Sequence, residues 1–311
     1  PLLAIWMLLA VFGRVAGVPA GFIQVGSKIA LVPTWFLAVY ILVVLFVPLT
    51  HAAWKRYGLA SIITLMIGAA LVDAAFFAAG WQVLGWLNYL FVWLAVHQMG
   101  YAWHAGWLVS SARMAVMSLC GLGLLLGLVH WGPYPLSMVG VPTDTISNTL
   151  PPKWPLLALG LTQIGLLLSL QSPARRWLNR PVPWTGTILI NSMIMTVFLW
   201  HSTAMVLVIG LVFLFKPVVF AVPPGVAHWW ALRPLWVIIF AAATLPFLMV
   251  FSRFERGRSQ AARATTGIAR LYLGCVLTCG GLGYLALKGI GGGPHWFFDA
   301  AALLVPFMGC A

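Results

Sequence analysis

Long runs of apolar residues recur along the whole chain, and they constrain its fold more than any other feature. Continuous runs of about 17 to 25 apolar residues are long enough to cross a bilayer as helices. Hydrophobic residues make up 62% of the chain and charged residues 7%, whereas a soluble domain has about 25% charged residues. The runs do not alternate as the strands of a membrane barrel do. The sequence therefore predicts an all-α protein, a polytopic transmembrane helical bundle.

We expect nine or ten spans, all within a single integral membrane domain that covers residues 1–311. Each apolar run is expected to be helical because backbone amides in hydrocarbon need partners within the protein. The spans are predicted at residues 2–18, 33–49, 59–79, 83–104, 114–130, 154–171, 186–213, 231–251 and 270–290, with a tenth, partial span at 297–310.

The basic residues that separate the spans are distributed unevenly. The net charge is +13, which in a soluble protein would indicate a nucleic-acid partner. Most Lys and Arg residues fall in alternate loops, at 55–56, 113, 175–180 and 253–270. By the positive-inside tendency these loops face the cytoplasm, and topology and lipid headgroups explain the charge. We therefore expect a multi-pass plasma-membrane protein that binds no nucleic acid.

A few strongly polar side chains fall inside the predicted spans, where such groups are costly and usually face a cavity or a partner. His201 lies near the middle of its span in the stretch VFLWHST, and Asn191 lies near the cytoplasmic end of that span. His97 and Gln98 share a span with Trp93. Each histidine is either a general base or a core residue bonded to a neighbouring carbonyl group, and the sequence leaves both interpretations open.

Several chemistries fit the sequence badly. The chain has four acidic residues, too few for a site built readily from paired carboxylates, and Asp73 is as easily a packing partner as a functional acid. No HExxH motif, Walker-type loop or dinucleotide fingerprint occurs, so we expect no metal and no resident cofactor. Histidine remains, with an ordinary pKa of about 6.5. Proton abstraction from a hydroxyl group during acyl transfer suits it.

Several motifs resemble one known family. VFLWHST, from Val197 to Thr203, resembles the FLWH or YLWH signature in a late helix of the membrane-bound acyltransferase-3 family of O-acyltransferases. VPTWFLAVYILVVLFVPL, from Val32 to Leu49, is similar to an earlier helix of that family. Between them, GWLNYLFVWLAVHQMGYAW and SNTLPP resemble actinobacterial members. The resemblance covers roughly residues 1 to 250.

The resemblance implies an enzyme that moves an acyl group, for example acetyl, from a cytoplasmic acyl-CoA to a hydroxyl group of a cell-envelope glycan or glycolipid. It makes His201 and His97 the catalytic candidates. The expected partners are acyl-CoA, the acceptor, membrane lipids and a membrane-protein complex. The arginines of loop 172–185 would pair with CoA phosphates or would only set topology. The candidates for substrate contact are Trp200, Asn191, Gln98, Trp93, Arg175, Arg176 and Arg180.

The chain also departs from the family. The family carries an Arg in its first helix with a His eleven positions later, and that His is regarded as the catalytic base. No Arg of this sequence has a His at that spacing, so we expect two further helices, with the pair, to precede Pro1. A transporter or flippase for a lipid-linked substrate and a non-catalytic subunit of a membrane complex remain alternatives.

Overall fold

A computed structural model describes residues 1–139, 146–215, 222, 226–254 and 267–290. Within these ranges the regular elements are helices, and the all-α prediction is confirmed. Two short 3-10 helices cover Gln82–Leu87 and Ser252–Phe254. The α-helices are α1 Leu2–Val15, α2 Ala20–Leu31, α3 Thr34–Tyr57, α4 Leu59–Ala78, α5 Asn88–His104, α6 Ser111–Trp131, α7 Trp154–Ser169, α8 Gln171–Leu178, α9 Pro181–Asn191, α10 Ile194–Phe215, α11 Ala227–Ala231, α12 Arg233–Phe251 and α13 Ile268–Lys288.

Six helices in the described part of the chain are long and apolar enough to cross a membrane: α3, α4, α6, α10, the stretch Ala227–Phe251 and α13. A seventh candidate is the pair α7 and α8, which bends by 55°. Large apolar side chains are exposed on these helices, for example Leu71 at 66% and Leu119 at 68%. Apolar surface of this kind is covered by lipid or by another apolar partner.

Helix α3 does not end where the sequence predicted. It was expected to stop at Leu49 but runs on to Tyr57, with Pro48 inside it. Proline removes one backbone hydrogen bond, yet in hydrocarbon the remaining bonds still favour a continuous helix. The Thr50 hydroxyl also donates to the Phe46 carbonyl oxygen at 3.0 Å. The sequence boundary at Leu49 was therefore wrong.

The N-terminal region also differs from the prediction. Helix α1 has 14 residues, about 21 Å at 1.5 Å per residue, which is short of the roughly 30 Å of a hydrocarbon core. Helix α2 has 12 residues and was missed, because Gln24, Ser27 and Lys28 lower the hydropathy of that stretch.

Two of the predicted spans are interrupted. The span predicted at 186–213 is two helices, α9 and α10, separated at residues 192–193. The span predicted at 154–171 ends in the bend between α7 and α8. The partial span predicted at 297–310 lies outside the described residues.

The chain divides into two compact units. Unit 1 comprises residues 1–41 and 184–311, and unit 2 comprises residues 42–183. The expectation that the chain is one functional domain stays a prediction.

Unit 1 is held together by polar contacts between helices that are distant in sequence. The Trp6 indole N–H of α1 donates to the Thr203 hydroxyl of α10 at 3.0 Å, in a buried position. The backbone N–H of Ile290, just after α13, donates to the Ser27 hydroxyl of α2 at 2.7 Å. These bonds attach α10 and the end of α13 to the N-terminal helices.

In unit 2, two glycines let α6 and α7 pack at very short range. A Cβ atom at Gly165 would lie 2.6 Å from the backbone nitrogen of Ser118, and one at Gly121 would lie 2.8 Å from that of Thr162. The Ser118 hydroxyl donates to the Thr162 carbonyl oxygen at 2.8 Å across the same contact. Small residues at helix contacts are how membrane helices approach each other closely.

Candidate functional site

The His201 ring has a defined hydrogen-bonding arrangement. Its Nδ1 lies 2.7 Å from the carbonyl oxygen of Phe198 and 3.2 Å from that of Val197. A carbonyl oxygen only accepts, so Nδ1 carries the proton in the neutral ring. The other nitrogen, Nε2, then presents a lone pair, and the Ser202 hydroxyl lies 3.2 Å from it. The ring lies on an exposed part of α10.

The face of α10 away from His201 is packed. Trp200 is 3% exposed, and its ring stacks on Phe251 and Phe247 at centroid distances of 4.1 Å and 5.0 Å. Thr203 is fully buried against Trp6. Packing on this face fixes the rotation of α10 and with it the direction of His201. In the described structure Trp200 is a packing residue, and its contact with substrate stays a prediction.

Asn191 lies at the C-terminal end of α9, directly before the break that separates α9 from α10. Its side chain is exposed. The break interrupts the span that the sequence predicted to carry both Asn191 and His201, so a regular helix does not relate the two residues.

His97 belongs to unit 2, whereas His201 belongs to unit 1. Helix α5 continues through Gly100, and the His97 ring meets the Tyr101 ring edge-on at 5.0 Å. The Tyr101 hydroxyl lies 3.3 Å from the Thr50 hydroxyl of α3. The Nδ1 atom of His97 is buried and has no hydrogen-bond partner among the described residues. Buried polar atoms nearly always have a partner. We therefore expect a water molecule or a substrate to bond this nitrogen.

Gln98 and Trp93 line separate cavities in unit 2. Gln98 is 2% exposed and pairs with the Ser61 hydroxyl of α4 at 2.5 Å, at the edge of an apolar cavity of about 500 Å³ between α3, α4 and α5. Trp93 lines a cavity of about 160 Å³ between α5 and α7. Only the first falls within the size range of about 300–1,000 Å³ that is typical of ligand pockets.

The three arginines predicted to act together do not share one surface. Arg175 lines a groove of about 460 Å³ between α5, α7 and α8, whereas Arg176 and Arg180 do not line it, although all three side chains are exposed. We call this space the α8 groove. Its lining residues are Val96, Met99, Gly100, Trp103, Ile164, Leu167, Leu168, Gln171, Ala174, Arg175 and Leu178.

A polar centre of unit 2 surrounds Asp73, for which the sequence left two interpretations open. Its carboxylate accepts hydrogen bonds from the Asn88 amide at 2.8 Å, the Tyr134 hydroxyl at 2.9 Å and the backbone N–H of Trp154 at 2.9 Å. Trp154 is the first residue of α7, so the Asp73 carboxylate also lies at the N-terminal end of that helix, where the helix dipole favours a negative charge. Asp73 thus connects α4 to α5, to loop 132–153 and to α7, which favours the packing interpretation.

Lys153 is part of the same centre, and the sequence analysis missed it. The side chain is 1% exposed; its Nζ donates to the Pro151 carbonyl oxygen at 3.1 Å and lies 4.3 Å from the centre of the Phe76 ring. Burial lowers the pKa of Lys153, and the Asp73 carboxylate opposes that shift. Burial also raises the pKa of Tyr134, and the neighbouring Asp73 carboxylate raises it further. The sequence did carry a signal for Lys153. An acid inside a span needs a partner, and Lys153 is the single Lys or Arg of loop 132–153.

The helices and their exposed apolar faces define the class: the chain is a polytopic helical membrane protein. A scan against protein-family models, a search of curated proteins and a search of solved structures each find no match for this chain.

Proposed function

We propose that the chain is an integral membrane O-acyltransferase of the plasma membrane. It would move an acyl group from a cytoplasmic acyl-CoA to a hydroxyl group of a cell-envelope glycan or glycolipid. The proposal rests on the motifs that resemble the acyltransferase-3 family, above all VFLWHST, and on the geometry of the histidine within that motif.

The observation that carries the proposal is the arrangement of the His201 ring. Bonds from Nδ1 to the Phe198 and Val197 carbonyl oxygens hold one tautomer, and that tautomer leaves the Nε2 lone pair directed away from the helix backbone. A general base needs such an orientation. An acceptor hydroxyl group would take the place of the Ser202 hydroxyl at Nε2.

The reaction follows from that position. Nε2 takes the proton of the acceptor hydroxyl group as its oxygen attacks the thioester carbonyl carbon. The carbon–sulfur bond then breaks, the CoA thiolate leaves, and the imidazolium returns the proton to sulfur. The products are an ester and free CoA. His97, whose buried Nδ1 lacks a partner among the described residues, is the second candidate base.

The test is acyl transfer by the purified protein, measured with radiolabelled acyl-CoA and envelope lipid extract. We expect His201→Ala to lower the turnover number about 10²- to 10⁴-fold, the usual contribution of a general base. His97→Ala tests the second candidate in the same assay. His104→Ala is the matched control, because His104 is an exposed histidine at the end of α5.

Three outcomes separate the functions. Wild-type turnover in a folded His201→Ala protein would assign His201 a structural role, in which its ring only bonds the helix carbonyl groups. No transfer by the wild type from any acyl-CoA would overturn the enzyme proposal. ATP-independent movement of a labelled lipid-linked glycan across proteoliposomes, without acylation, would establish the transporter alternative.

A further inference from the structure

The α8 groove combines apolar walls with one cation. Met99, Gly100 and Trp103 of α5 form one wall, and Leu167 and Leu168 of α7 form another. Trp103 is 47% exposed and Leu167 is 69% exposed, so the groove is open at the surface of unit 2. Its volume of about 460 Å³ falls within the range of ligand pockets, about 300–1,000 Å³.

Helix α8 presents one face to this groove. Gln171, Ala174, Arg175 and Leu178 line it, at the i, i+3, i+4 and i+7 positions that share a helix face. Arg176 is one residue further on, about 100° around the helix, and it lies outside the lining. A ligand in the groove therefore meets one guanidinium group.

That guanidinium group is held in place and carries an unbalanced charge. With the Gln171 amide oriented so that its oxygen faces Arg175, the oxygen accepts from Nη2 at 2.7 Å and from Nε at 3.2 Å. This arrangement leaves Nη1 available to donate. No carboxylate pairs with Arg175 among the residues that the structure describes. An anion in the groove would supply the missing charge.

We propose that the α8 groove binds one anionic glycerophospholipid, with its phosphate on Arg175 and an acyl chain along Met99, Gly100 and Leu167. The single cation matches a ligand with a single phosphate. CoA carries several phosphate charges, and the arginines that would be needed to match them lie outside the groove. Basic pockets between membrane helices are sites where anionic lipid headgroups bind.

The experiment measures lipid retained by the full chain. The protein is exchanged into nanodiscs of phosphatidylcholine with phosphatidylglycerol, released in mild detergent, and analysed by native mass spectrometry for bound phosphatidylglycerol. We expect one phosphatidylglycerol per chain. Arg175→Gln should weaken its retention by about 10-fold or more, as expected for the loss of a charge-assisted hydrogen bond.

Two further variants make the result specific to the groove. Arg176→Gln removes the same charge from the neighbouring position of the same helix and should change retention less than about 2-fold, since Arg176 lies outside the groove lining. Gly100→Leu fills the groove from α5, where an added Cβ atom meets no atom within 4 Å. It should displace the lipid while the protein remains folded.

The proposal is overturned by any of three results. Equal losses of retained phosphatidylglycerol in Arg175→Gln and Arg176→Gln would mean that the lipid binds the basic surface nonspecifically. Retention of lipid by a folded Gly100→Leu protein would exclude the groove. The third result is displacement of phosphatidylglycerol by palmitoyl-CoA that Arg175→Gln abolishes. It would show that the groove binds the acyl donor. None of these results bears on whether His201 catalyses acyl transfer.

Discussion

Replacement of Gly165 by alanine is the strictest test of the packing in unit 2. The added methyl group would lie 2.6 Å from the Ser118 nitrogen and 2.7 Å from the Met114 carbonyl oxygen. Both are backbone atoms of α6 and cannot rotate away. Ordinary contacts lie near 3.5–4.0 Å, so α6 and α7 have to move apart by about 1 Å locally.

The cost of that movement has two parts. Overpacking a tight contact costs about 1–3 kcal/mol. Separation of the helices also lengthens the 2.8 Å bond from the Ser118 hydroxyl to the Thr162 carbonyl oxygen, and loss of such a bond costs about 1 kcal/mol. We expect Gly165→Ala to lower the free energy of unfolding by about 2–4 kcal/mol and the midpoint of thermal unfolding by about 3–6 °C.

Gly160→Ala in the same helix is the matched control. Its added Cβ atom lies 3.5 Å from the Val96 Cγ2 atom, an ordinary contact, and alanine is favoured over glycine in a helix by about 1 kcal/mol. Its midpoint should equal or exceed that of the wild type. The assay is size-exclusion chromatography of detergent-solubilised protein after a heating series. Equal midpoints for Gly165→Ala and Gly160→Ala would refute the close approach of α6 and α7.

Two further predictions use the same preparations. Asp73→Ala should destabilise the protein by about 3–5 kcal/mol, because it leaves the buried Asn88 amide, the Tyr134 hydroxyl and the Trp154 backbone N–H without their acceptor, and Asp73→Asn, which keeps one acceptor oxygen, should lose less; a wild-type midpoint for Asp73→Ala would contradict the role of this centre. If acyl transfer is confirmed, Arg176→Gln with Arg180→Gln should raise the Michaelis constant for acyl-CoA, more at low salt than at high salt, and change the turnover number little; an unchanged Michaelis constant at both salt concentrations would remove these residues from donor binding.

The sequence predicted the helical class well because bilayer thickness and backbone hydrogen bonding leave few alternatives. It predicted helix ends poorly where a polar or helix-breaking residue lies within a helix. Pro48 is an example: the residue favours a helix end in isolation, yet α3 continues through it. Helix α2 is the opposite case, because Ser27 and Gln24 lower its hydropathy but bond the backbone at the end of α13.

The polar centre around Asp73 shows a different limit of sequence reasoning. A carboxyl group within a span indicates that a partner exists but not which one. Two of its hydrogen bonds come from residues 61 and 81 positions further along the chain, Tyr134 and Trp154, and the charge of Lys153 acts on it from 80 positions away. Loop 132–153 contains turn residues, which give no periodic signal. Only the packing of unit 2 identifies these contacts.

The arginines of α8 show why adjacency in sequence is a poor guide to a shared site. Arg175 and Arg176 are neighbours, but a helix turns about 100° per residue, so only Arg175 reaches the groove face with Gln171. Replacement of Arg175, Arg176 and Arg180 together would mix an effect on the groove with an effect on the outer surface. Single variants separate them. A lipid effect confined to Arg175 and a donor effect confined to Arg176 and Arg180 would establish two anion sites, one in the α8 groove and one on the exposed surface beside it.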